Sequence, residues 1–249
     1  MMTPAGPPPD AGPLIRRGFA GLRVVGDVHG DAAAFAHAAA GAEAERLFLV
    51  QLGDLTDHGP DSPGALRLMF ALLDGRRGRF VLGNHDHKLR RALLGEALQA
   101  TPDGLGLTLR QIDAAPDAAA LRARTIEEVA RAPAWLRLGD LFFVHAGWHP
   151  RMLEGPPPED AGARRKTDPV LSRALFGQVT GRTRQDGYPE RVLDWIDRIP
   201  PGVTVYCGHD RRSRDGRPYA RPGEQGGRAV FLDTGAGKGG HLSWIDLRF

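Results

Sequence analysis

The chain has one cysteine, three lysines and no apolar run of the length that crosses a membrane, and each shortage excludes something. Cys207 alone can form neither an internal disulfide nor a thiolate metal cluster, and it suits a reducing compartment, so a cytoplasmic location is expected. A membrane helix needs about 20 predominantly apolar residues, and nothing here approaches that. Met1 to Pro13 is rich in proline and glycine, with neither the positive start nor the apolar segment of a secretory signal. Residues 1–20 are expected to be a disordered leader. Lysine is confined to Lys88, Lys166 and Lys238 among 33 cationic residues, so the net charge of +3 is carried by arginine. An arginine-rich surface is first of all a solvated one. It would also attract phosphorylated or nucleic-acid substrates, and charge alone does not separate these. The tryptophans (Trp135, Trp148, Trp195 and Trp244) are too dispersed to suggest a base-stacking platform.

What is present is a repeated rhythm. Leu22–Val25 reads as a buried strand, followed by an Ala-rich helix that Asp31 would cap. A strand from Leu47 to Leu52, a helix from Gly64 to Leu73 and a strand from Arg79 to Leu82 repeat the pattern. Strand and helix alternating at this spacing predict a parallel sheet and an α/β fold. From His85 to about Pro133 the pattern is mostly helical, and residues 94–133 are expected to form a helical insert or cap beside the site. Strands are then expected at Leu141–Val144, Val203–Cys207, Ala229–Asp233 and Leu242–Leu247, a loop over Arg151–Pro169 and a helix over Glu190–Ile199. At 41% hydrophobic residues, 21–249 can bury a core as one domain.

Polar residues of one kind stand where the strands end. Asp27 and His29, Asp54, Asn84, His145 and His209 each follow a hydrophobic run, most beside glycine. In open α/β sheets the carboxyl ends of strands are where ligands bind. Singly, each has a bland reading: His145 as a satisfied core histidine, Asn84 as a turn residue. Together, in order, they form a set of carboxylates, imidazoles and one amide oxygen without sulfur. That donor set suits divalent ions such as Mn, Fe or Zn. One ion needs three or four ligands, so six or seven candidates argue for two ions sharing a carboxylate.

Gly26-Asp27-Val28-His29-Gly30, Gly53-Asp54-Leu55-Thr56-Asp57-His58-Gly59, Gly83-Asn84-His85-Asp86, His145-Ala146-Gly147 and Gly208-His209 resemble the motif series of the calcineurin-like metallophosphoesterases, in their phosphoprotein-phosphatase branch. Asp233-Thr234-Gly235 with Gly239-Gly240-His241-Leu242 resembles that branch's closing signature. Gly83–Arg90 and Thr180–Pro189 are similar to the phosphatase domain of bacterial polynucleotide kinase-phosphatase, with bacterial diadenosine-tetraphosphate hydrolases as near neighbours. The resemblance runs from about Leu22 to the C-terminus. It implies a sandwich of two mixed β-sheets flanked by helices, with Asp27, His29 and Asp54 on one metal. Asp54 would bridge to a second metal held by Asn84, His145 and His209. The cofactor implied is a pair of divalent ions, Mn first, with Fe, Zn, Ni or Co as alternatives. His85 would protonate the leaving oxygen with Asp57 as its partner, while Asp233 would be a supporting or substrate-side acid. The expected reaction is hydrolysis of phosphate monoesters by a metal-bound water or hydroxide. Dinucleoside polyphosphates or cyclic diesters are the next substrate classes, and a binding protein with weakened turnover is the rival. Substrates in view are phosphorylated small molecules, nucleotides and phosphoproteins; nucleic acid is not excluded.

Two departures stand out. The family usually has arginine where this chain has His58, and that arginine's planar fork holds two phosphate oxygens. Arg182, Arg184, Arg211 and Arg212 are candidates to replace it. The family favours threonine where Asp210 stands, and an acid there could support the neighbouring histidine or sit in solvent.

Overall fold

A computed structural model describes residues 7–165, 168–183, 185, 187, 189–213 and 215–249. A short helix, α1 (Gly12–Arg16), precedes β1 (Gly21–Val25), α2 (Ala32–Ala44), β2 (Leu47–Gln51), α3 (Ser62–Asp74) and β3 (Gly78–Phe80). Three helices follow: α4 (Asn84–Leu93), α5 (Leu105–Asp113) and α6 (Ala118–Arg131). Then come β4 (Trp135–Leu138), β5 (Leu141–Val144), α7 (Pro169–Phe176) and a hairpin of β6 (Gln178–Thr183) and β7 (Pro189–Val192). The chain closes with β8 (Thr204–Cys207), β9 (Tyr219–Pro222), β10 (Arg228–Phe231) and β11 (Trp244–Arg248).

Two mixed sheets stack face to face. One has the order β11-β1-β2-β3, the other β4-β5-β8-β10-β9. Three neighbouring strands in each are parallel (β1, β2 and β3; β5, β8 and β10), and the antiparallel strands β11, β4 and β9 lie at edges. Period-two alternation explains the packing. Leu22, Val24, Phe48, Val50 and Leu52 of the first sheet meet Phe143, Tyr206, Val230 and Leu232 of the second in one buried layer. The alternate residues, including Val25, Leu47, Leu49, Phe142, Val205 and Phe231, face the helices on the outside. Both faces are covered, so these strands read as continuous apolar runs. Each large apolar side chain contributes about 1.5–3 kcal/mol by burial, enough to support polar, strained backbone at the strand tips. The helices begin where expected: Asp31 accepts from Ala34 N at 3.1 Å to cap α2, and Asp61 from Gly64 N at 2.8 Å to cap α3.

Several expectations change. The leader is not disordered over its described part: Pro9–Ala11 is a 3-10 turn, α1 follows, and Leu14 and Phe19 pack on the layer between the sheets. The helix expected over Glu190–Ile199 is instead strand β7 followed by a 3-10 turn at Ile196–Arg198. The loop expected up to Pro169 ends at α7, whose first turn is capped by Asp168. The stretch expected as a helical insert holds α5 and α6, with α6 packed on α4 and α3 and α5 on α3. No helix among the described residues is long and apolar enough to cross a membrane.

Candidate active site

The six parallel strands β1, β2, β3, β5, β8 and β10 release their C-terminal ends at one rim of the sandwich. The backbone there is unusual. Among the described residues seven non-glycines have positive φ, and five of them are His29, Asp54, Asp57, His58 and His209. Left-handed backbone at a non-glycine residue costs of order 1–3 kcal/mol. Strain concentrated on the residues singled out by the sequence marks this rim as the working end. Two glycines permit the crowding. A Cβ on Gly83 would lie 2.3 Å from Asp54 N, and one on Gly208 would lie 1.8 Å from Asp27 Oδ1.

Two groups of donor atoms result. In the first, His29 Nε2 lies 3.9 Å from Asp27 Oδ2 and 3.8 Å from Asp54 Oδ2. In the second, His145 Nε2 lies 2.9 Å from Asn84 Oδ1, 3.1 Å from His209 Nδ1 and 3.4 Å from Asp54 Oδ1. Asp54 belongs to both. Backbone carbonyls assign the tautomers: His29 Nδ1–H donates to Thr56 O at 3.0 Å, and His145 Nδ1–H to Leu52 O at 2.8 Å. Each imidazole therefore turns a lone pair, not a proton, toward the cluster. Lone pairs of Asn84, Asp54 and His145 meet without a hydrogen among them, and His209 Nε2 is buried with no partner. A divalent cation would reconcile such a set. The residues fit divalent ions in both groups, with oxygen and nitrogen donors and Asp54 between them.

The electrostatics agree. Burial pushes the Asp27 carboxyl well above its usual range, and the nearby charges of Asp233 and Asp54 push it further. Burial also lowers His29, His145 and His209, so none of them readily supplies the missing positive charge. For Asp54 burial works upward, but the imidazoles of His145, His85 and His29 outweigh it and hold the carboxyl well below its usual value.

Beside this cluster stands His85. Its Nδ1 donates to Asp57 Oδ2 at 2.6 Å, and its Nε2 lies 3.9 Å from Asp54 Oδ2. Burial alone would lower the imidazole's pKa, but the Asp54 charge and the bond to Asp57 prevail and raise it. Asp57 is fixed in turn by Thr108 on α5, whose hydroxyl accepts from Asp57 N at 3.0 Å and donates to Asp57 Oδ1 at 2.6 Å. Nothing in the sequence pattern pointed to Thr108, since its link to Asp57 spans 51 residues. Asp86 also emerges only here. Its two oxygens accept from Asp54 N at 2.8 Å, Leu55 N at 3.0 Å and Gly83 N at 3.1 Å. Burial and then the Asp54 charge push its carboxyl up to about 7, against the pull of those three N–H groups. The signal for Asp86 was available: it is the acid at the third position of α4.

His58 does reach the site. Its ring centroid lies 5.1 Å from that of His29 and 5.6 Å from that of His85, with the backbone N–H held by Asp103 O at 3.1 Å. Burial, then Lys238 and His85, lower its pKa, so it is no substitute for a permanent cation. Asp233 is buried, 5% exposed, and accepts from Gly235 N at 2.9 Å. Arg182 lies on the exposed strand β6, with no described contact to the cluster. Arg184 and Tyr188 lie outside the described residues. Asp210 is not idle: it faces Arg191 and Arg212, each at 3.3 Å. Arg211 packs against Gly235, its Nη1 2.8 Å from where a Cβ there would be. A residue passed over in the sequence, Lys238, places Nζ 2.8 Å from His29 Nε2.

Fold and donor set together define a metal-dependent phosphoester hydrolase. Residues 22–213 match the family described as calcineurin-like phosphoesterase, and the chain belongs to that family, whose members depend on two metal ions. It is 33% identical over 196 residues to the bis(5'-nucleosyl)-tetraphosphatase PrpE (asymmetrical) of Geobacillus thermodenitrificans, covering 77% of this chain and 72% of that protein. It is 30% identical over 203 residues to the protein of the same description from Bacillus subtilis, covering 80% and 75%. Among solved structures it resembles a putative diadenosine tetraphosphatase, with a TM-score of 0.56, 25% identity and coverage of 92% and 94%. A Saccharomyces cerevisiae serine/threonine phosphatase similar to human PP5 matches with a TM-score of 0.58 at 14% identity, covering 92% and 79%, a likeness of fold.

Proposed function

We propose that this protein hydrolyses dinucleoside polyphosphates, with phosphate monoesters as the second substrate class. The observation that carries the chemistry is the pair of donor groups sharing Asp54, with the His85–Asp57 pair beside it. The order of substrates rests on the tetraphosphatases to which the chain is similar over most of its length. In this reading Asp27, His29 and Asp54 hold one divalent ion, and Asp54, Asn84, His145 and His209 hold a second. Manganese is the ion we favour, on the mixed oxygen and nitrogen donors. Two such ions supply Lewis acidity, holding phosphoryl oxygens and activating water for in-line attack.

The chain's own residues do the rest. Asp57 accepts the Nδ1 proton of His85 and stabilises the imidazolium form, whose Nε2–H would face the cluster as the proton to give. From that nitrogen His85 would protonate the leaving oxygen. Asp233, buried beside the ligands, would add negative charge to balance the ions. The leaving group of a dinucleoside tetraphosphate is a nucleotide, an anion that an arginine-rich rim would favour. A nucleotide substrate also fits the expected cytoplasmic location. Phosphoprotein and nucleic-acid substrates have less behind them: the fold likeness to a protein phosphatase and the basic charge, respectively.

The test is a substrate panel with purified protein and Mn: a dinucleoside tetraphosphate, an aryl monoester, a diester and a phosphopeptide. The tetraphosphate is expected to have the highest kcat/KM and to yield unequal nucleotide products. A preference for the monoester would reverse the order of substrates. Asn84→Ala and Asp54→Ala should each lower kcat by 100-fold or more, and full activity in both would overturn the dinuclear reading.

A further inference from the structure

The least expected polar contact of the site is between a lysine and a ligand histidine. Lys238 lies in the turn after β10, on the loop that covers the His29 and Gly59 turns. That loop is fixed. Lys238 N donates to Gly235 O at 3.0 Å, Gly240 N donates to Gly235 O at 2.8 Å, and Thr234 Oγ1 donates to His241 O at 2.6 Å. Gly237, with φ +68°, lies so close to its neighbours that a Cβ there would fall 2.3 Å from His29 O and 3.2 Å from Gly59 N. The backbone of residue 238 is thus pinned over His29 and His58, while the residue itself remains exposed.

From that position the side chain reaches inward. Nζ donates to His29 Nε2, whose lone pair is free because Nδ1–H is engaged by Thr56 O. This is the lone pair that an ion held by Asp27, His29 and Asp54 would use. An ammonium and a divalent ion cannot share it, and they repel each other. The four-carbon arm can then swing toward solvent, but its pinned backbone keeps it above the cluster. The anion that such an arm meets there is a phosphoryl group resting on the ions. Of the other cations near this rim, Arg191 and Arg212 face Asp210, while Arg211 packs on Gly235 without an ion pair among the described residues.

We propose that Lys238 is the phosphate-binding cation of this site, doing from the closing loop what the family's arginine does from the position of His58. The inference rests on the proposed metal positions. It assigns Lys238 two contacts: His29 in the metal-free protein, and a phosphoryl oxygen in the loaded protein with phosphate bound.

Binding of inorganic phosphate to the Mn-loaded protein, followed by calorimetry, tests this without reference to turnover. Lys238→Met should weaken phosphate binding about tenfold or more, the usual scale of a charge-assisted hydrogen bond. Its Mn affinity, measured without phosphate, should be equal or higher, since a competing cation is gone. Lys238→Arg should stay within a few-fold of the parent. His58→Arg should largely restore phosphate binding to the Lys238→Met protein and add less to the parent, because the two cations would serve one anion. Unchanged phosphate affinity in Lys238→Met overturns the proposal. Weakened Mn binding in that variant, with phosphate affinity intact on the loaded protein, also overturns it by making Lys238 a support for His29. Failure of the underlying metal reading would be visible earlier, as a parent protein that binds no Mn or an Asn84→Ala protein that binds it normally.

Discussion

Thr108 illustrates how far from the motifs a working residue can sit. It belongs to α5 in the helical insert, yet its single hydroxyl contacts Asp57 twice and accepts a third bond from Ser62 Oγ at 3.1 Å. These contacts fix Asp57 in a left-handed backbone conformation and aim its other oxygen at His85. Thr108→Val keeps the shape and removes the hydroxyl. A general acid contributes roughly 10²–10⁴-fold to rate, and a loosened partner should forfeit part of that. The expected result is a loss of about tenfold in kcat with KM little changed, and recovery by Thr108→Ser. A variant that loses stability while retaining kcat would confine Thr108 to holding the fold. The donor residues themselves were legible because each follows an apolar run beside a glycine. Thr108 and Lys238 were not, since their roles depend on contacts 51 and 209 residues apart in sequence, while Asp86 could be read as the N3 acid of α4 but not as the tie to Asp54, 32 residues away.

At the scale of elements, the parallel strands could be read from their apolar runs, and the caps of α2 and α3 from Asp31 and Asp61. The segment around Glu190 was misread because local propensity lost to pairing. Val179 faces Arg191 and Gln178 faces Val192 across the hairpin, while Trp195 and Ile196 turn into the core. The junction between β2 and α4 depends on one carboxylate that no propensity scale would select. Asp86 ties the first turn of α4 to the loop that presents Asp54, using both oxygens as acceptors. Asp86→Asn would turn an amide N–H toward a backbone N–H. A buried donor left unmatched costs about 1–3 kcal/mol, and the loss should appear as a lower urea midpoint at an unchanged slope. An unchanged midpoint would mean that the second oxygen contributes nothing as an acceptor.

For the whole molecule, the sandwich concentrates its unfavourable electrostatics at one end. Asp27, Asp54 and Asp233 are all buried there, each 5% exposed or less, in surroundings whose imidazoles burial drives toward neutrality. The apolar layer between the sheets backs this end, and any ion that fits the donor groups must add to the stability of the native state. A ligand at 100 times its Kd adds about 2.7 kcal/mol per site, and for a chain of this size each kcal/mol raises Tm by roughly 2–4 °C. Saturating Mn should therefore raise Tm above its value in EDTA by about 5–10 °C for one site, and by more if both fill. Asp54→Ala should lose most of that shift, because Asp54 alone touches both donor groups. Asn84→Ala should lose only the part due to the second group, since Asn84 meets His145 and not His29. Equal shifts in the parent and in both variants would place the stabilising ion elsewhere on the molecule. The graded loss, in contrast, would trace one bridging carboxylate through a measurement that involves no substrate.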